Sequence, residues 1–203
     1  MRRTVKLMND WMFYGPNGKK RPVDLPHTWN AVDGQDGGND YFRGTCMYEK
    51  QLPKPEYADD ERVYLQFHGV NASAKVILNG EEICSHDNGY STFRVDVTDA
   101  LNEMNELKVM VDNSVNQKVY PQVADFTFYG GIYRDVEWLI VSEKHFDLDY
   151  YGGPGIKVDT AVRRGTGLLH INTYLNVEKP EEEGLNVVLT LADAEGNEIG
   201  SAK

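Results

Sequence analysis

From Tyr41 onward, apolar and polar residues alternate over short runs, and each run ends in turn-forming residues. No stretch repeats apolar positions at the spacing of an amphipathic helix over three turns. The pattern predicts an all-β protein with strands at 42–51, 63–68, 74–78, 82–85, 92–96, 106–112, 134–141, 155–162, 167–177 and 186–192. Many short strands at this spacing argue for a sandwich or a jelly roll. Asn79-Gly80, between AKVIL and EEICS, is the dipeptide that best tolerates positive φ at both centres of a type I′ hairpin. Glu195-Gly196-Asn197 does the same between VVLTLADA and EIGSA. The segment DVTDALNEMN at 96–105 is expected to form one or two helical turns at a crossover, with Thr98 as N-cap.

The strand DVEWLIVSE closes a first block, and HFDLDYYGGPG then supplies a connection rich in Gly and Pro. This divides the chain into a β-sandwich at 1–145 and a second unit at 146–203. The second unit has only three or four strands, against the roughly seven in ~100 residues of an immunoglobulin-like sandwich. The expectation is therefore a piece of a longer protein. There is no internal repeat and no low-complexity tract.

Charge narrows the partners. Lys and Arg number 21 against 32 Asp and Glu, a net charge of −11, with no basic run to follow a phosphate backbone. Nucleic acid and anionic membranes are excluded as expected partners, and the acidity reads as a solubility feature. Cys46 and Cys84 lie in predicted strands without CxxC or Cys/His spacing, which predicts two buried free thiols and no zinc site. The N-terminal MRRTVKLMNDWMF is basic but lacks the apolar core of about 7–15 residues of a signal peptide. Nothing approaches the ~20 apolar residues of a membrane span. These features point to a soluble, cytoplasmic protein, or a periplasmic or secreted one if a leader preceded it.

Several segments carry candidate chemistry. DFTFYGGIYRDV places a carboxylate, aromatic side chains and a Gly130-Gly131 turn ahead of a strand, so Asp125 belongs on a loop at one end of the sandwich. Taken alone, an Asp before a turn also serves as a local backbone acceptor. In LPHTWN, His27 and Trp29 shape a loop and Asn30 ends it. Arg134 is expected in a buried or half-buried ion pair, with Asp135 pointing the other way, and Arg43 in a similar brace. DGQDGGND at 33–40 resembles a calcium loop, but Gly44 stands at the twelfth position, where an EF-hand needs a bidentate Glu. His68, His86, His145 and His170 have no partner at metal-ligand spacing.

In order and spacing, DLPHTWN, DYFRGTCMYEKQL, LQFHGVNASAKVILNGEEICSHDNGYSTFRVDVT, NELKVMVDNS and DFTFYGGIYRDV together resemble the first domain of family 2 glycoside hydrolases, most nearly the bacterial β-galactosidases. HFDLDYYGGPGIKV resembles the start of that family's immunoglobulin-like domain. The resemblance implies a jelly-roll, galactose-binding-like sandwich followed by an incomplete immunoglobulin-like one. It implies substrate-binding roles for Asp125 and Asn30, reaching the sugar pocket of a neighbouring barrel. The parent enzyme would be a homo-oligomer acting on terminal β-D-galactosides.

Retaining glycosidases need two carboxyls about 5–5.5 Å apart, and in this family both are glutamates on a (β/α)₈ barrel, the acid/base in an Asn-Glu context. Asn102-Glu103, Asn105-Glu106 and Asn197-Glu198 lie in turns, edges or hairpins. The expectation is that this chain has no catalytic residue, metal or cofactor and is inactive alone. Rival readings are a β-glucuronidase or β-mannosidase of the same family, a free-standing carbohydrate-binding module using Trp11, Trp29, Tyr41 and Tyr129, and a structural adhesion domain.

Overall fold

In chain order the strands are β1 (Arg3–Lys6), β2 (Trp11–Tyr14), β3 (Lys20–Val23), β4 (Thr45–Pro53), β5 (Glu61–Phe67), β6 (Val70–Asn71), β7 (Ser73–Leu78), β8 (Glu81–Asp87) and β9 (Phe93–Asp96). They continue as β10 (Met104–Asp112), β11 (Gly131–Ile132), β12 (Val136–Ser142), β13 (His145–Phe146), β14 (Ile156–Arg163), β15 (Thr166–Thr173), β16 (Leu175–Asn176), β17 (Leu189–Ala192) and β18 (Glu198–Ala202). The computed structural model that gives this architecture describes residues 2–32, 40–120, 123–124, 126–177 and 184–203.

Two antiparallel sheets form the sandwich, a four-stranded one in the order β1-β12-β5-β9 and a six-stranded one in the order β3-β2-β4-β10-β7-β8. The alternation in MNELKVMVD explains why β10 lies inside its sheet. Asn105, Leu107, Val109 and Val111 face inward and are fully buried, while Met104 and Met110 face out. Val63, Leu65 and Phe67 of β5 and Trp138 and Ile140 of β12 come down from the other sheet to meet them in one core. Phe67 stacks on Phe93 with ring centroids 4.8 Å apart.

Unlike β10, β5 and β12 are buried almost continuously. Their second face is covered by the chain that follows: Tyr64, Leu139 and Val141 pack on Leu148 in a smaller cluster. A polar chain runs beside it. Glu137 accepts from Gln66, and His68 Nε2 lies 3.0 Å from the same carboxylate. Arg94 Nε donates to Gln66, and its Nη1 donates to the carbonyls of Leu148 (2.6 Å) and Gly153 (3.1 Å). Burial holds the Arg94 guanidinium below its ordinary pKa.

From His145 onward the described strands pair only as two-stranded units, β13 with β16, β14 with β15 and β17 with β18. Most of their apolar residues, among them Val158, Val162, Leu168, Leu169, Leu191 and Ile199, are exposed.

Three local expectations are corrected, those for Thr98, Arg134 and Cys84. The 96–105 segment contains a single 3-10 turn at Thr98–Ala100 with Val97 at its N-cap and no side-chain cap. The Thr98 hydroxyl instead accepts from Val63 N, and Asp96 accepts from Thr98 N. Arg134 is exposed and donates to the carbonyls of His68 and Tyr90. Asp135 pairs with Lys6 at 2.8 Å. Arg43 lies over the Tyr41 and Phe128 rings. Of the two free thiols Cys46 is buried, with its pKa pushed up to about 12 by desolvation, whereas Cys84 is half-buried.

Candidate functional site

One end of the sandwich gathers the segments 24–30, 68–72, 88–92, 113–120 and 126–133. Three buried asparagine side chains fasten the last of them. Asn30 is fully buried: its Oδ1 accepts from Gly130 N (2.8 Å) and from Asn113 Nδ2 (3.1 Å), and its Nδ2 donates to Phe42 O (2.9 Å). Asn113, also fully buried, donates to Phe128 O (3.1 Å) and accepts from Gly44 N (2.9 Å). Asn71 donates to Tyr129 O at 2.6 Å, and Tyr120 Oη donates to its Oδ1 at 2.5 Å. A buried amide with every atom paired is worth keeping, because removing it strands donors and acceptors away from water. The backbone at 128–130 is thereby held from three sides.

The register shows why these asparagines sit where they do. Asn113 continues the inward row Leu107, Val109, Val111 of β10, one step past the strand end. Thr28 Oγ1 adds a bond to Gly130 O (2.8 Å), and a side chain at Gly130 would collide with the Trp29 ring. Gly89 likewise permits close approach, since any Cβ there would strike the Asn71 amide.

His27 props the Asn30 loop from behind. Its Nδ1 is 2.7 Å from Tyr48 Oη and its Nε2 is 3.0 Å from Arg21 Nη2. Because Arg21 can only donate, Nε2 is the acceptor and Nδ1 carries the proton. Burial, helped by the Arg21 charge, lowers the His27 pKa to about 4, so the ring is neutral at pH 7. Burial also raises the Tyr48 hydroxyl well above its ordinary value. Neither group is set up for proton transfer near neutrality.

Beside the fastened loop lies an open cleft of ≈ 450 Å³, lined by Asn71, Tyr90, Phe126, Thr127, Tyr129 and Tyr133. Tyr90 stacks on Tyr120 at 4.9 Å and meets Tyr133 edge-on at 6.4 Å. Tyr133 Oη donates to Gly89 O at 2.6 Å, and Phe126 packs on Phe128 at 4.9 Å. Among the described residues no group of three or more His, Cys, Asp or Glu is placed to hold a metal ion.

The residues expected from sequence are thus distributed unevenly. Asn30 is at the centre of this end but as a brace, with no exposed atom of its own. Asp125 and the acidic stretch 33–39 lie outside the described residues; Phe126, the next residue in the sequence, lines the cleft. Of the four aromatics weighed as sugar platforms, Trp11 is buried, Trp29 and Tyr41 are half-buried, and Tyr129 is exposed. Sequence reasoning missed Asn71, Asn113 and Tyr90. For Asn113 a signal was present, a polar residue in phase with an apolar row of period two.

Residues 40–129 match the family described as glycosyl hydrolase 2 galactose-binding domain-like. A β-glucuronidase of Bacteroides fragilis is 42% identical over 76% of this chain and 23% of its own length. A β-galactosidase of Thermoanaerobacterium thermosulfurigenes is 33% identical over 75% of this chain and 24% of its own. Among solved structures, an FMN-binding β-glucuronidase from Facaelibacterium prausnitzii superposes with a TM-score of 0.89 at 38% identity, covering 100% of this chain and 32% of that one. The chain spans about a quarter of the length of the curated relatives it matches, 23% and 21% for two β-glucuronidases.

Proposed function

We propose, for a chain that belongs to family 2 of the glycosyl hydrolases through its galactose-binding-like domain, that it is the non-catalytic sandwich of a retaining enzyme removing terminal β-D-glucuronic acid. The observation that carries the choice of sugar is the 42% identity with the Bacteroides fragilis β-glucuronidase. The β-galactosidase expected from the DFTFYGGIYRDV pattern becomes the second reading, supported by the 33% identity with the Thermoanaerobacterium enzyme. In either case the two carboxyls that cleave the bond, about 5–5.5 Å apart across it, belong to a barrel outside these residues.

The part assigned to this chain is orientation. Asn30, Asn113 and Asn71 fix the backbone at 128–130, which follows Asp125 by three residues in the sequence. A carboxylate there accepts hydrogen bonds from sugar hydroxyls and turns the ring toward the reacting pair. If the sugar is a glucuronide, its own carboxylate must face away from Asp125, because two like charges in one pocket repel. Asp125 then serves ring hydroxyls remote from C6.

The test expresses the complete polypeptide of the gene and compares kcat/KM for p-nitrophenyl β-D-glucuronide and β-D-galactoside. The expected result is preference for the glucuronide. Preference for the galactoside establishes the second reading. No hydrolysis of either, with saturable sugar binding by residues 1–203 alone, replaces both with a free-standing carbohydrate-binding module.

A further inference from the structure

We infer that the aromatic cleft beside the fastened loop is a binding site for a flat, uncharged aromatic aglycone, the group that leaves when the glycosidic bond is cut. The inference rests on the glycoside-hydrolase reading above. Its starting point is where the aromatic side chains are exposed. Among the described residues before 145, only Tyr90 (51%), Phe126 (62%) and Tyr129 (42%) are exposed aromatics, and all three line this one cleft. The other large rings of the sandwich are buried or half-buried. Exposed aromatic area gathered in one place marks a binding surface.

The chemistry of the lining selects the occupant. Among the described residues no side chain lining the cleft is charged, and the polar ones are Asn71, Thr127 and three phenols. The Asn71 amide is already spent on Tyr129 O and the Tyr120 hydroxyl, and the Tyr133 hydroxyl on Gly89 O. A sugar needs several convergent hydrogen-bonding groups to replace the water on its hydroxyls, and this lining does not offer them. A planar ring needs faces and edges to stack on, which Tyr90, Phe126 and Tyr129 supply.

The wall is also rigid. Tyr90 rests on Tyr120, and Tyr133 braces it edge-on. Phe126 is backed by Phe128, whose carbonyl is held by Asn113. Preformed rings lose little freedom when a flat ligand arrives, so the contact contributes most of its stacking energy to binding. Phe126, Thr127 and Tyr129 follow Asp125, the residue proposed above to reach the sugar, within four positions of the sequence, so the reading above brings the cleft close to the sugar.

The test uses one sugar with two aglycones. In the complete enzyme, kcat/KM is measured for the 4-methylumbelliferyl and the methyl glycoside of whichever sugar is hydrolysed. Tyr90→Ala and Tyr129→Ala are each expected to lower the aryl-to-methyl ratio roughly tenfold, and Tyr90→Phe and Tyr129→Phe to restore most of it. A ratio that stays constant, including the case where both substrates weaken together because another part of the enzyme covers the cleft, overturns the proposal. The wrong sugar is recognised separately, from glucuronide against galactoside. If no glycoside is hydrolysed, the reading above fails, and a second measurement decides this one. 4-Methylumbelliferone titrated into residues 1–203 should shift the ring resonances of Tyr90, Phe126 and Tyr129 to saturation, and Tyr90→Ala should weaken the effect. The absence of saturable shifts there overturns the aromatic site.

Discussion

Strand β10 in the sandwich and strand β14 near the C-terminus are almost equally long, nine and eight residues, and each lies in a full antiparallel ladder. Their surroundings differ. Strand β10 sits between β4 and β7 with the four-stranded sheet across from it, and its alternating residues are buried to 0%. Strand β14 has β15 alone, and Val158 and Val162 remain 52% and 79% exposed. Strand β10 is hydrogen-bonded along both edges and β14 along one. What separates them is an opposing layer, because a two-stranded ribbon has a face to offer and nothing to bury it against. Between these extremes, residues 145–153 are tied to the sandwich by Leu148 and by Arg94.

Five perturbations test this contrast, in order of expected size. Phe67→Ala, in the shared core and stacked on Phe93, should lower stability by about 3–5 kcal/mol in urea unfolding of the 203-residue chain. A loss under about 1 kcal/mol would mean the core is far looser than its burial implies. Next come the polar ties. Asn113→Ala should cost about 1–3 kcal/mol, since it strands Gly44 N, Phe128 O and the Asn30 amide. Its hydrogen exchange should accelerate first at 128–131. Arg94→Met, in the same range, should accelerate exchange at 147–155 while leaving 107–111 protected. Uniform acceleration would show that the 145–153 segment is not separately fastened.

A smaller effect is expected with pH. Unfolded His27 takes up a proton near its ordinary 6.5, and folded His27 only near 4. The unfolded state therefore binds more protons between these values, and stability declines as the pH falls from 6.5 toward 4. His27→Gln should flatten that part of the urea-midpoint profile; an unchanged slope assigns the decline to other groups. Smallest of all, Leu168→Ser on β15, where Leu168 is already 46% exposed, should stay within about 0.5 kcal/mol of the parent. A larger loss would reveal packing of the ribbon absent from this structure.

The contrast also marks how far the sequence could be read. Central strands such as β10 and β4 were legible because one face is apolar and the other polar over seven to nine residues. β1, with RTVK, and β3, with KRPV, were not. Both are sheet edges, where charges and proline are tolerated and where the neighbour supplies the reason to be extended. WMFY in β2 has no alternation to show. At the candidate site, the loop motifs drew attention to Asn30 and Asp125, but nothing local distinguishes an asparagine that meets a ligand from one that meets a backbone carbonyl. Asn30 finds Gly130, a hundred residues away, and only the fold brings them together.

By itself, then, the sequence determined the all-β class, the hairpin at Asn79-Gly80, the inward rows of the central strands and the resemblance to the glycoside hydrolases. Each of these is written in short-range spacing or in the order of motifs. The tertiary structure decided the covered second face of β5 and β12, the three-asparagine clamp, the neutral His27 and the gathering of Tyr90, Phe126 and Tyr129 into one cleft. Those depend on which distant segments meet, and burial and hydrogen-bond partners exist only once they have met.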